Sequence, residues 1–272
     1  MAGQTRHASG IYLDCARRSA GMGHEQKRQG ENNIILETLT QNHGRHLGLV
    51  RGGASRKKRP MLQKGNLLQL TWRARLDEHL GMFQTEPISL RSAHLIENKY
   101  ALYAIGLLCQ MLCLLPERDP DKELYHIVNR LIDGLMHKHD EHGHGFDIEW
   151  LKAYALFELK FLEIMGFPLD LEKCAATGKQ DELTYVSPKT GRAVCYQAGL
   201  PYQDKLLSLS PLFIFKKGSM HDMASSEDQF HSIIASALQL TGYFLNRNIF
   251  EPRAKIMPFE RDKIMHFLAQ CS

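Results

Sequence analysis

The residues best suited to chemistry in this chain are cations. Between Arg45 and Leu76 lie Arg45, Arg51, Arg56, Lys57, Lys58, Arg59, Lys64, Arg73 and Arg75, and this window holds no aspartate or glutamate. The whole chain of 272 residues has 34 Lys+Arg against 30 Asp+Glu, a balance of +4. Without these nine cations the remainder would hold 25 against 30, a balance of −5. The positive charge is therefore local, which is the footprint of a site for a polyanion such as a nucleic acid. A strand edge kept soluble by charge is the plainer reading, but nine cations without an acid exceed what edge protection needs. Arg45, Arg51, Arg56, Lys57, Lys58, Arg59 and Lys64 are expected to contact phosphates, with Arg73 and Arg75 on an exposed strand face. Binding of this kind is largely electrostatic and indifferent to base sequence.

Bond-making chemistry has no comparable support. Gly178-Lys179 is followed by Gln180, and Lys173 stands where the leading glycine of a phosphate loop belongs. No nucleophile elbow or tightly spaced histidine metal motif occurs. His137, His139, His142 and His144 fall in a glycine-bearing link without apolar support, so a solvated loop is expected there rather than a metal site. Cys174 and Cys195 each open a four-residue stretch with the spacing of a zinc ribbon, but Thr177 and Ala198 occupy the places of the second cysteines. A structural zinc needs four ligands, so Cys174 and Cys195 are expected to be a degenerate site without metal. The expected function is binding, with no catalytic residue and no cofactor.

The elements that position the cations can be read from periodicity. Leu68, Leu70, Trp72, Ala74 and Leu76 alternate with Gln69, Thr71, Arg73 and Arg75, which gives a strand with one apolar and one basic face. Trp72 shares the leucine face, so it is expected in a core rather than as a platform for stacking bases. Ile34 to Thr40 reads as a strand, Gln41-Asn42-His43-Gly44 as its hairpin turn, and His46 to Arg51 as the returning strand. The segment 54–60 then joins two strands as a basic loop that can reach along a phosphate backbone. A last strand is expected around Gly81 to Thr85, closed by Pro87. Several short strands within about ninety residues suggest a small barrel.

After Ser92 the period becomes helical. One long helix is expected from Ala93 to Leu115, a second starting at Asp119-Pro120, and a third from Ile148 to Met165. Residues 169–211 interrupt the helices with a small hairpin-bearing insert, and helices return from about Phe230, capped by Ser225 or Ser226, and from Phe259 to Ala269. The fold class is α+β. Five segments are expected: a poorly ordered or atypical 1–30, an OB-fold nucleic-acid-binding domain over 31–91, helical parts over 92–168 and 212–272, and the degenerate zinc-ribbon-like insert over 169–211. Within 1–30, Gly10 to Leu13 could be a short strand. Six scattered cysteines do not form a disulfide framework, and no apolar run is long enough to span a bilayer, so a reducing cytoplasm is expected.

Taken in order, several of these stretches resemble the RecO family of bacterial DNA repair and recombination mediators. The resemblance rests on Gly30-Glu31-Asn32 leading into the strand from Ile34, on His43-Gly44-Arg45, and on Val50-Arg51-Gly52-Gly53 with the basic loop. Leu114-Leu115-Pro116-Glu117 adds to it, as do Leu169-Asp170-Leu171, Cys174, Tyr185-Val186-Ser187-Pro188 and Gly191 of the insert. It covers about residues 30 to 250. The resemblance implies an OB-fold, a helical domain and a zinc-type insert. It also implies binding of single- and double-stranded DNA, strand annealing in the RecF pathway, and cooperation with RecR to load RecA onto gaps covered by single-strand-binding protein (SSB), in a nucleoid-associated cytoplasmic setting. Residues 1–29 depart from the family pattern, which normally places a first strand close to the N-terminus. An RNA-binding OB protein and a structural adaptor that docks partners through its helices are the competing readings.

Overall fold

The computed structural model describes residues 4–13, 32–76, 78–136, 145–214 and 227–271. The chain divides into two compact units, 1–138 and 139–272.

The first unit is built on five strands: β1 (Gln4–Tyr12), β2 (Ile34–Thr40), β3 (Gly44–Val50), β4 (Leu67–Ala74) and β5 (Met82–Ser89). They close into a barrel in the order β1-β2-β3-β5-β4. Every pair is antiparallel except β3 with β5, which meet in parallel at Leu49 and Met82. Alternation decides the inside. Leu68, Leu70 and Trp72 of β4 point into a core shared with Leu36, Val50 and Phe83, while Gln69 and Arg73 face out. The β2–β3 hairpin turns where expected, on Gly44 at φ 60°. Gly48 is small for a packing reason, since a Cβ there would lie 2.4 Å from the ring of Phe83.

The structure corrects the reading of residues 1–30 as a segment apart from the barrel. Gln4–Tyr12 is the first strand, paired along its length with β4 and at its end with β2, and Ile11 and Leu13 are fully buried. Residues 14–31 lie outside the described residues. Two strand limits also shift. Leu76, expected on the apolar face, lies beyond the end of β4 and is exposed. β5 runs on through Pro87 to Ser89, the proline sitting where the register with Leu67 and Leu68 slips, a position that needs no amide donor.

Three helices complete this unit: α1 (Ser92–Leu95), α2 (Lys99–Leu112) and α3 (Lys122–Gly134). The single helix expected from Ala93 to Leu115 is broken because Asn98 turns extended and its Oδ1 accepts from the amides of Tyr100 and Ala101. The next helix is capped by Asp121 rather than Asp119, its Oδ1 accepting from the amide of Leu124 at 2.8 Å. Cys113, just past α2, is disulfide-bonded, while Cys109, Cys174, Cys195 and Cys271 are free thiols.

The second unit holds α4 (Ile148–Ile164), β6 (Leu183–Val186), β7 (Ala193–Cys195), α5 (Tyr196–Gly199), β8 (Leu207–Ser208), α6 (Glu227–Leu245) and α7 (Phe259–Cys271). α4 stops before Gly166, as its sequence suggests. The insert is a three-stranded sheet in the order β7-β6-β8. Ser225, Ser226 and the four histidines at 137–144 lie outside the described residues. Among the described residues no helix is long and apolar enough to cross a membrane.

Candidate nucleic-acid interface

The basic segment between β3 and β4 is a folded platform rather than an extended arm. Ser55 O accepts from the amides of Lys58 and Arg59 at 3.0 Å, and Lys58 O accepts from those of Met61 and Leu62. These turns drive Leu62 into the barrel core, with Met61 packed against it. Asn66 then fastens the far end. Its side-chain amide donates to Pro60 O and Met61 O, and its Oδ1 accepts from the amide of Ser92 at 2.9 Å. At the near end, Asn33 Oδ1 accepts from the amide of Gly52 and Asn32 O from that of Ala54. With its underside buried and both ends tied, the segment presents Arg51, Arg56, Lys57 and Arg59 to solvent. A surface held in place before binding loses less conformational entropy when a ligand arrives.

Not all of the nine cations belong to this surface. Lys58 is half-buried and its Nζ donates to Arg51 O at 3.0 Å, so it braces the platform. Lys64 is also half-buried. Arg45 departs most from expectation. Its guanidinium pairs with Glu37 and Glu117, its Nε donates to Leu115 O at 2.6 Å, and its side chain is 14% exposed. Its backbone carbonyl also accepts from the amide of Arg118 at 2.8 Å. Arg45 ties β3 to the segment that follows α2, and it has no free face for a phosphate. Arg73 and Arg75 are exposed at the other end of β4.

Trp72 sits in the core as its alternation suggests, 1% exposed, with Nε1 donating to Leu80 O at 3.0 Å. The guanidiniums of Arg6 and Arg118 lie 5.3 and 5.5 Å from its ring centroid, within cation–π range. His46 packs on the same indole, and burial together with the Arg6 charge pushes the nearby His43 imidazole below its usual range. Sequence reasoning missed the contribution of β1. Thr5 and His7 stand beside Arg73 and Thr71 of β4, with His7 Nδ1 3.1 Å from Thr71 Oγ1. The weak alternation of β1, with small and polar residues on both faces, concealed it.

The donor set of the insert does not fit a structural zinc. Cys174 and Cys195 are both buried, the Thr177 hydroxyl lies 3.7 Å from Cys195 Sγ, and the amide of Cys195 donates to Cys174 Sγ at 3.3 Å. Among the described residues no three His, Cys, Asp or Glu side chains converge as ligands. The Cys174 thiol is nevertheless brought from 9.0 to about 6. Burial pushes it up, but the Thr177 hydroxyl and the amides of Cys195, Thr177 and Ala176 together outweigh that. Such a group stabilises the folded insert fully above its unfolded value, and that stabilisation is lost as pH falls toward about 6. Protein purified without chelators is expected to carry no stoichiometric zinc, and Cys174→Ser should flatten the dependence of insert stability on pH between these limits. Metal analysis giving near one zinc per chain, or an unchanged pH profile in the variant, refutes this account.

Comparison with known proteins then places the chain. Residues 24–91 match the model for Recombination protein O N terminal, and residues 95–255 match that for Recombination protein O C terminal. The chain belongs to the recombination protein O family. A protein named DNA repair protein RecO from Sinorhizobium medicae is 45% identical over 240 residues, covering 88% of this chain and 89% of the relative. The same name is carried by a Chelativorans protein, 45% identical over 235 residues with 86% and 88% coverage. It is also carried by one from Brucella abortus, 45% identical over 240 residues with 88% and 90% coverage. The chain is thus a member of a family whose relatives are named DNA repair proteins. β1 precedes the residues matched by the N-terminal family model, which start at 24.

Proposed function

We propose that this chain is a DNA-binding recombination mediator of the RecF pathway. In this reading it anneals complementary single strands and, with RecR, helps load RecA onto single-stranded DNA covered by SSB, within the nucleoid. The observation that supports it most is the acid-free basic platform held at both ends on a closed five-stranded barrel, in a chain of the RecO family. Arg51, Arg56, Lys57 and Arg59 would contact phosphates, and Arg73 and Arg75 would extend the contact along β4. Arg45 would tie β3 to the segment after α2, and Lys58 would cap the Arg51 carbonyl, rather than contact phosphates. Cations arrayed on one rigid surface screen the repulsion between two phosphate backbones, which is the barrier that annealing must overcome.

Annealing is therefore expected without ATP. A fluorescence-quenching assay with complementary labelled oligonucleotides should show rates well above spontaneous pairing that do not change when ATP is added. Absence of annealing, or dependence on ATP hydrolysis, would remove the mediator reading. Pull-down of RecR and SSB by the full chain tests the partners separately.

A further inference from the structure

OB barrels commonly bind nucleic acid across the face formed by strands 2 and 3. In this chain that face is largely taken. Leu115, Glu117 and Arg118 bond to Arg45 of β3, and a Cβ on Gly44 would lie 2.2 Å from Asp119 O. Glu37, Thr38, Leu39 and Thr40 of β2 are buried, leaving Ile35 exposed. The segment that covers the face carries Glu117 and Asp119, charges that repel a phosphate backbone.

The outer face of β4 is open instead. Gln69 and Arg73 are exposed along it, Thr71 lies between them, and Arg75 follows. The neighbouring strands put His7 of β1 and Gln84 of β5 on either side of Thr71. These are hydrogen-bond donors and cations in a row. The row begins at Leu67, where the basic platform ends, and seven steps of about 3.3 Å carry it roughly 23 Å to Ala74. A stacked strand with a phosphate about every 3.4 Å would place some seven phosphates over that length. Among the described residues the strip carries one acid, Glu86, opposite Gln69.

From this we infer that a single strand of DNA runs from the basic platform along the outer face of β4 to Arg73 and Arg75, and not across the β2–β3 face. The inference rests on the DNA-binding reading above and names the path of the same ligand. Arg73 and Arg75 hold the far phosphates, Gln69, Thr71 and Gln84 line the middle, and Glu86 weakens binding by its charge.

Fluorescence anisotropy of the full chain with labelled oligo-dT of about 6 and about 20 nucleotides tests it, at two salt concentrations. On the longer strand, Arg73→Ala with Arg75→Ala should weaken binding by about tenfold or more and reduce the log–log salt slope by about 1.4, at roughly 0.7 per phosphate contact. On the shorter strand held by the platform alone, the same pair should change little. Glu86→Gln should tighten binding to the longer strand several-fold, and Ile35→Asp, on the β2–β3 face, should leave it unchanged. Both single substitutions are at exposed side chains, so folding is preserved, and unchanged thermal unfolding verifies it. If Ile35→Asp weakens binding while the Arg73 and Arg75 pair and Glu86→Gln have no effect, the strand follows the β2–β3 face and the inference is overturned. It is equally overturned if platform substitutions weaken binding but neither face responds. If platform substitutions also leave affinity unchanged, the DNA-binding reading itself falls.

Discussion

Replacing Arg56, Lys57, Lys58 and Arg59 with alanine is expected to weaken single-stranded DNA binding by about 100-fold near 0.1 M salt, and uniformly across sequences. The size follows from the geometry. Arg56, Lys57 and Arg59 face solvent on the platform, whereas Lys58 is turned toward Arg51 O. Three lost contacts at roughly 0.7 each lower the salt slope by about 2, and at 0.1 M that is about two decades of affinity. Lys58→Ala alone should scarcely change the slope. The platform should survive the quadruple substitution, because it is held by Leu62 and Asn66, which the substitution leaves in place. Titrations at several salt concentrations, on homopolymers and mixed sequences, decide the matter. An unchanged slope would remove the platform from the site, and a loss confined to some sequences would point to base contacts instead.

The sequence announced the barrel wherever local patterning and turn chemistry agreed. Ile34 to Thr40 is a run rich in β-branched and apolar residues followed by a turn whose Gly44 can take positive φ, and the strand has those limits. Trp72 fell on the buried face because β4 alternates cleanly over eight residues. β1 was hard to see for the opposite reason. Its partner β4 lies some sixty residues away, and its polar outer residues give no period of their own. Arg45 shows a different limit. Within the acid-free window it looks like every other cation there, and its function depends on Glu37 across the hairpin and Glu117 far along the chain. Glu37, eight residues away across a recognisable turn, could have been found; the return of the chain to Glu117 could not. The helix starts were misplaced by one candidate cap each. Asn98 lies inside an otherwise continuous apolar period, and Asp121 stands just behind Asp119-Pro120, which is the stronger local signal.

Arg261→Met is expected to be the most destabilising single change in the second unit, by about 3–5 kcal/mol, because it leaves a buried charge unpaired. Glu158 on α4 is fully buried, and the Arg261 guanidinium from α7 grips it with two bonds of 2.8 and 2.9 Å. The Tyr154 hydroxyl donates to the same carboxylate at 2.6 Å, and the Thr241 hydroxyl of α6 donates to its other oxygen. Burial first, and then the Glu158 charge, hold the Tyr154 phenol well above its usual range, so it stays a donor. One carboxylate thereby joins three helices, and the same guanidinium also donates to Leu238 O of α6. Glu158→Gln keeps the shape and some acceptors but loses the charge pairing, so it should destabilise less than Arg261→Met. Replacing both, Glu158→Leu with Arg261→Met, should recover much of the loss, because no charge is then stranded. Recovery should be incomplete, since the Tyr154 hydroxyl loses its acceptor at about 1–3 kcal/mol for a buried group left unsatisfied, whereas Thr241 Oγ1 can still donate to Ala237 O. Gly242→Ala is an independent probe: a Cβ there would lie 2.7 Å from Arg261 Nη1, so it should loosen the grip without removing any charge. Thermal and urea unfolding followed by the near-ultraviolet signal of Trp150, which stacks on Tyr154, would report this unit. DNA affinity serves as the control that the barrel remains folded. A loss under about 1 kcal/mol for Arg261→Met, far below the range for a broken buried pair, would mean that water reaches Glu158 and that the three helices are held by their apolar faces alone.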